Sequence, residues 1–314
     1  MKFWIGVTDN AWYEFLRLKR PDELNFWQPT STTSFKAIPS GAPFLFKLHS
    51  PKNYIVGGGF FVRHSILPLS LAWEAFGGKN GASDFETLLE LIQKHRTKKN
   101  TTINPNPEIG CIILNNPFFF DEQDWIPAPE NWSPSIMRGK TYDTQSDTGR
   151  RLWEQVQERL RQGHALWAEQ MDGSPIEEGT PLYGAEYLTR ARLGQGAFRI
   201  LVTEAYQRRC AITGQHTLPV LQAAHIKPHA KTGPNNVSNG LLLRSDLHIL
   251  FDQGYLTITK DFHIEVSARI KREYENGRIY YALHGKELEV IPSKEIDRPS
   301  PKFIDWHNQN VFAA

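Results

Sequence analysis

The strongest constraint in this sequence lies between Leu221 and Gly254. An apolar run ends on His225, Pro228 to Ser238 is dense in Gly, Pro and Asn, Gly240–Leu243 is apolar again, and Ser245–Phe251 has helical periodicity. Short apolar runs bounded by turn formers read as strands, and the last segment reads as a helix capped at Ser245. With so little chain between them, a strand, a loop, a second strand and a helix have to pack side by side. Four chemistry-bearing residues, His225, Asn239, His248 and Asp252, then fall on or beside these elements.

A lone histidine in a strand, or a His-x-x-x-Asp pair on a helix, is common in ordinary proteins. Together they supply what phosphodiester hydrolysis needs: a base for water, a cation to neutralise charge on the leaving oxygen, and a group that aims the base. His248 and Asp252, four apart, share a helix face and can both reach one ion. His225 is then the natural base. Asn239 is placed to bond one imidazole nitrogen so that the other faces water.

Ala-His225-Ile-x-Pro, Asn239-Gly-Leu-x-Leu and His248-x-x-Phe-Asp252-x-Gly resemble the ββα-metal, or HNH, nuclease motif over about 45 residues. The resemblance implies that His225 activates water, Asn239 positions it, and the helix residues hold one divalent ion, with His248 both catalytic and metal-binding. Many family members carry Asp or His as a metal ligand immediately before the base, where this chain has Ala224. A site with few protein ligands suits Mg²⁺ or Mn²⁺, since magnesium keeps several waters. Lys227 and Lys231 beside His225 are candidates for DNA phosphate. So are Arg192 and Arg199, flanking a helix start at Leu193-Gly-Gln-Gly.

At 314 residues, with 40% hydrophobic and 22% charged content, the chain has the length of two folded domains and no sign of disorder. The two cysteines, Cys111 and Cys210, form no CxxC pair, which excludes a zinc ribbon or a dithiol redox centre. No apolar stretch reaches membrane-spanning length and the first residues do not form a signal peptide, so the expected location is cytoplasmic, with no membrane partner. Residues 181–314 carry 17 Lys+Arg against 13 Asp+Glu, residues 1–180 carry 19 against 21. That tilt fits a local phosphate-binding patch rather than a polybasic protein.

The first 125 residues read as strands at Phe3–Val7, Pro43–Leu48, Tyr54–Val62 and Ile109–Leu114. Two helices interrupt them, Ala11–Leu18 capped by Asp9 and Phe85–His95 opened by a Ser83/Glu86 capping box. Pro and Gly between Asp124 and Ser146 mark a linker, followed by a polar helix from Asp147 and, later, a helix over Gln195–Gln207. Phe3-Trp-Ile-Gly-Val, Asn25-Phe-Trp-Gln-Pro29, Gly41-x-Pro-Phe-Leu-Phe-Lys-Leu48 and Tyr54-Ile-Val-Gly-Gly-Gly59-Phe resemble the PUA-like superfamily, especially EVE domains. PUA-like domains bind nucleic acids, and several hold a modified base in an aromatic pocket. For that role Trp27 and Phe26, beside Asn25 and Gln28, are the first candidates, since an extruded base is held by stacking and edge hydrogen bonds.

The expected architecture is α+β. Residues 1–139 form an EVE-like, PUA-superfamily β-barrel that binds a modified base, 140–180 a linker and connecting helix, and 181–314 an HNH nuclease domain. The combination resembles modification-dependent restriction endonucleases that cut double-stranded DNA bearing 5-methylcytosine or 5-hydroxymethylcytosine in phage defence, here as a homodimer on its substrate. Two alternatives are an HNH nuclease indifferent to modification and a non-catalytic nucleic-acid-binding protein with a degenerate nuclease fold.

Overall fold

The structure, a computed structural model, describes residues 1–31, 34–96, 104–170 and 193–313. The chain divides into two compact units, Met1–Ala191 and Arg192–Ala314.

In the first unit the strands are β1 (Lys2–Thr8), β2 (Glu23–Gln28), β3 (Pro43–Leu48), β4 (Tyr54–Pro68), β5 (Glu108–Phe119), β6 (Ile126–Pro127) and β7 (Gly139–Asp143). They form one mixed sheet in the order β2-β5-β4-β3-β1-β7, with β6 paired to β4 and β1 parallel to β3. No pairing joins β2 to β7, so the sheet is open and the expected closed barrel is not formed. The strands show why: successive side chains point to opposite faces, and both faces of β3 are apolar. Phe44 and Phe46 enter one core with Trp12, Tyr13, Leu16 and Leu24, and Leu45 enters another with Phe3, Ile5, Tyr142, Trp153 and Val156. Each face is covered, which leaves no enclosed interior of the barrel kind.

The helices of this unit are α1 (Asn10–Lys19), α2 (Leu69–Phe76), α3 (Phe85–Arg96) and α4 (Asp147–Gln170). Asp9 caps α1 as expected, accepting from the amides of Ala11 and Trp12 at 2.8 and 3.1 Å. At α3 the cap is Asp84, whose Oδ1 accepts from the Thr87 amide at 2.8 Å, while Ser83 donates to Asp84 instead of capping the helix. Gly57 and Gly58 are required where β4 crosses its neighbours. A Cβ on Gly57 would lie 2.2 Å from the Phe118 carbonyl oxygen, and one on Gly58 2.7 Å from that of Phe44. The stretch expected as linker is built into the unit: β7 pairs with β1 over Gly139–Asp143, and Leu152, Trp153 and Val156 of α4 are buried in the second core.

In the second unit α5 (Gln195–Ala205) packs on the antiparallel pair β8 (Leu221–His225) and β9 (Gly240–Arg244), and α6 (Ser245–Asp252) follows without a connecting loop. Ser245 is the first helical residue and makes no side-chain cap; the cap position falls on Arg244. Gly240 is forced by close packing, since a Cβ there would lie 2.5 Å from Val202 Cγ2 on α5. Leu241, Leu242 and Leu243 of β9 and Leu247 and Phe251 of α6 are fully buried in one core, which locks the helix against the strands. The unit also contains the hairpin β10 (Leu256–Ile258) and β11 (Ile264–Val266) and, after two short helices, the helix α7 (Pro301–Asn310). His307 of α7 stacks on Phe251 with ring centroids 3.8 Å apart, donates from Nε2 to the Phe251 carbonyl oxygen at 3.0 Å, and pairs at Nδ1 with Thr257 Oγ1 at 2.8 Å. No helix among the described residues is long and apolar enough to cross a membrane.

Candidate nuclease site

A cleft of about 220 Å³ opens where β8 ends and α6 runs past it. Its lining includes His225, His229, His248, Asp252 and His307, so the three groups expected for base and metal open into one space. The β8–β9 register, with His225 opposite Gly240, and the immediate start of α6 produce this convergence.

His225 is held on two sides. Its ring lies flat on Phe198 of α5, centroids 4.0 Å apart at 12°, and its Nε2 meets Asn235 Oδ1 at 2.8 Å. Burial lowers the imidazole pKa below its ordinary value; the neighbouring His229 and His248 rings act in the same direction, against the Asn235 hydrogen bond and Asp252. The ring is therefore neutral at pH 7 and able to take a proton. On α6, His248 Nε2 lies 3.3 Å from Asp252 Oδ2, one turn apart, while its Nδ1 meets Gln222 Oε1 of β8 at 2.8 Å. Burial raises the Asp252 carboxyl pKa, and the imidazoles of His248 and His225 oppose that rise.

Asn239 is elsewhere employed, which corrects its expected contact with the imidazole. It is fully buried, and its side chain accepts from the Lys227 amide and donates to the carbonyl oxygens of Lys227 and Pro234, each at 2.9 Å. It thus clamps the loop between the two strands at three backbone points, and the imidazole partner is Asn235 instead. Nothing in the residue pattern distinguishes Asn235, Gln222 or Phe198. One is among several loop asparagines, and the others look like ordinary strand and helix residues.

The donor set for a metal is small. Among the described residues no group of three or more His, Cys, Asp or Glu is placed to hold an ion. Ala224, where a ligand is common in HNH motifs, is fully buried in the core. The facing nitrogen of His248 and oxygen of Asp252 suit a hard cation that retains water and takes only one or two protein ligands, and do not suit closed four-ligand zinc.

Of the expected phosphate contacts, Lys231 is exposed on a short turn at His229–Lys231, and Lys227 is half-buried with its ammonium 5.5 Å from the centre of the Trp306 ring. Arg199 is half-buried on α5, and Arg192 lies outside the described residues. Asp246 faces Arg244, with two oxygen contacts at 2.7 Å, and Tyr280, and plays no part in the cleft.

Residues 210–259 match the HNH endonuclease family. The match spans the whole ββα core of the cleft and implies nuclease activity for this HNH domain. No curated protein matches the chain. Among solved structures, a point mutant of the ZmASCH protein from Zymomonas mobilis aligns at 9% identity and a TM-score of 0.32, over 49% of this chain and 98% of its own. The modification-dependent TagI restriction endonuclease aligns at 15% identity and a TM-score of 0.26, over 92% of this chain and 75% of its own.

In the first unit the four residues expected to hold a base do not form one pocket. Asn25 is fully buried, donating from Nδ2 to Asn80 Oδ1 at 2.9 Å. Phe26 is wedged among Phe44, Trp12 and Phe46, with ring centroids 4.7, 5.3 and 6.3 Å away. Strand alternation puts Asn25 and Trp27 on one face and Phe26 and Gln28 on the other. Trp27 and Gln28 are half-buried, and the Trp27 indole donates to the Asn80 carbonyl oxygen at 3.0 Å.

Proposed function

We propose that this chain is a modification-dependent DNA endonuclease, cutting DNA that carries 5-methylcytosine or 5-hydroxymethylcytosine and so restricting phage. The observation that carries the nuclease part is the opening of His225, His248 and Asp252 into one cleft on a ββα scaffold. His225 takes the proton of the attacking water, its ring held in place by Phe198 and Asn235. His248 and Asp252 hold a divalent ion, Mg²⁺ or Mn²⁺, which when bound neutralises charge on the scissile phosphate and leaving oxygen. Asn239 acts through the loop it clamps, keeping Lys227 and Lys231 beside the cleft for phosphate. The first unit reads the modification, with Trp27 as the ring that stacks on an extruded base. Phe26 and Asn25 support the sheet behind it, and Gln28, on the opposite strand face, is outside that stack.

The experiment is plasmid cleavage with Mg²⁺ on unmodified, methylated and hydroxymethylated DNA. Cutting confined to modified plasmid is the expected result. Cutting of all three equally removes the modification reader and leaves the nuclease. A well-folded protein that binds but never cuts removes the enzyme.

A further inference from the structure

The carboxamide of Asn235 determines which nitrogen of His225 is free. Asn235 is buried, with 7% of its surface exposed, and makes two side-chain hydrogen bonds: Nδ2 donates to the Leu193 carbonyl oxygen at 2.6 Å, and Oδ1 meets His225 Nε2 at 2.8 Å. A backbone carbonyl can only accept, so the amide nitrogen of Asn235 must face Leu193 and its oxygen must face the imidazole. An amide oxygen also can only accept, so the imidazole nitrogen it meets must carry the proton. The orientation follows from a chain of donors and acceptors and needs no hydrogen to be seen. The Phe198 stack holds the ring in the plane that this bond requires.

We propose that Asn235 is a positioning residue that fixes His225 as the Nε2–H tautomer, leaving Nδ1 as the atom that accepts the proton of water. The role of Nδ1 as proton acceptor rests on the nuclease reading; the tautomer itself does not. In the step, one water proton moves to Nδ1, giving an imidazolium protonated on both nitrogens, while the Nε2–H bond to Asn235 is unchanged. The hydrogen bond to a neutral amide raises the imidazole pKa less than one to a carboxylate would, so burial still holds it below its ordinary value. The anchor at Leu193, two residues before α5 begins, ties the tautomer of the base to the helix that stacks on it.

The test is a long-range proton–nitrogen correlation on the metal-free full chain labelled with ¹⁵N-histidine at pH 7.5, with His225 assigned by its loss in His225→Gln. The expected spectrum has a protonated, pyrrole-type Nε2 and an unprotonated, pyridine-type Nδ1. In Asn235→Ala the two tautomers should mix, and kcat should fall about 10- to 100-fold, the usual range for loss of an orienting partner, with KM for DNA within about twofold. Asn235→Asp retains the acceptor, so it should restore the tautomer while moving the acid limb of the kcat profile to higher pH, because a carboxylate stabilises imidazolium. A wild-type His225 protonated on Nδ1 overturns the inference whatever the variants do, including any that fail to fold. An Asn235→Ala protein with the wild-type spectrum and kcat also overturns it. A chain with the expected spectrum that cuts no DNA overturns the nuclease reading alone.

Discussion

The cleft of the second unit and the aromatic sheet of the first use polar atoms in opposite ways. Around the cleft, amides bond one nitrogen of each of two histidines, Asn235 on His225 and Gln222 on His248, and both histidines line the cleft. In the sheet, the indole N–H groups of Trp12 and Trp27 both end on one carbonyl, that of Asn80, and Phe26 is enclosed by other rings. The first arrangement leaves reactive atoms over and the second consumes them in packing. A function therefore follows directly from the cleft, whereas in the sheet most of the aromatic content is the core that a mixed sheet buried on both faces requires.

The largest effect separates the two regions most cleanly. His225→Ala should reduce plasmid cleavage about 10²- to 10⁴-fold, the range for loss of a general base, while DNA binding in a gel-shift assay and the melting temperature stay near wild type. Retained cleavage would remove His225 from the reaction. On the same cleft, His248→Ala and Asp252→Ala should each raise the Mg²⁺ concentration giving half-maximal rate. If only His248→Ala does so, Asp252 is not a ligand and the donor set must include another group.

Phe26→Ala probes the other side of the comparison. A ring clasped by Trp12, Phe44 and Phe46 should behave as core, and its removal should destabilise the protein by about 3–5 kcal/mol in urea unfolding. A variant within about 1 kcal/mol of wild type would show that Phe26 is dispensable to the core and available to a ligand.

How much of this was legible in the sequence depended on whether spacing or context held the information. His225, His248 and Asp252 could be placed because strand and helix periods fix where residues a few positions apart must point. Asn239 was legible as important but not in its action: from sequence, an asparagine near a histidine suggests a side-chain contact, and only the folded loop shows three backbone groups nearer. Asn235 was hidden because its partner on the far side, Leu193, is 42 residues away in sequence. The four-residue base pocket failed on strand period: adjacent residues of β2 cannot share a face. Barrel closure and the extent of the linker were illegible for a similar reason, since the pairing of β7 with β1 spans most of the first unit.

A buried histidine gives the second unit a stability that depends on pH. His307 is 2% exposed, and burial between Phe251 and Thr257 pushes its pKa down to about 4. A folded-state value below the unfolded value of about 6.5 means that the unfolded chain binds the extra proton first. Stability from this group is thus fully present above about pH 6.5 and is lost as pH falls toward 4, on the order of 3 kcal/mol across the window. Urea unfolding of wild type and His307→Gln at pH 7 and pH 4 should show a larger acid loss in wild type. Equal losses would mean that the ring is charged in the folded state, with Nε2 donating to the Phe251 carbonyl oxygen and Nδ1 to Thr257 Oγ1, whose own hydrogen goes to Asn308 Oδ1.

The smallest effect bears on the boundary between core and ligand site in the first unit. Trp27 and Phe26 are both half-buried, but Phe26 is packed among three other rings, so Trp27, on the opposite sheet face, is the ring of the expected pocket better placed to take a base. Stacking on an extruded base contributes about 1–3 kcal/mol, so Trp27→Ala should weaken binding of modified DNA about 5- to 150-fold with little change for unmodified DNA. The indole bond to Asn80 complicates that variant, because its loss leaves a carbonyl that also receives Trp12. Trp27→Phe resolves it: the stacking surface stays while the N–H is lost. If the ring reads a base, Trp27→Phe should keep most of the preference for modified DNA and Trp27→Ala should lose it. If the bond to Asn80 is what matters, both should lose thermal stability together and neither should change the ratio of modified to unmodified binding, and the reader would then have to lie elsewhere on the sheet.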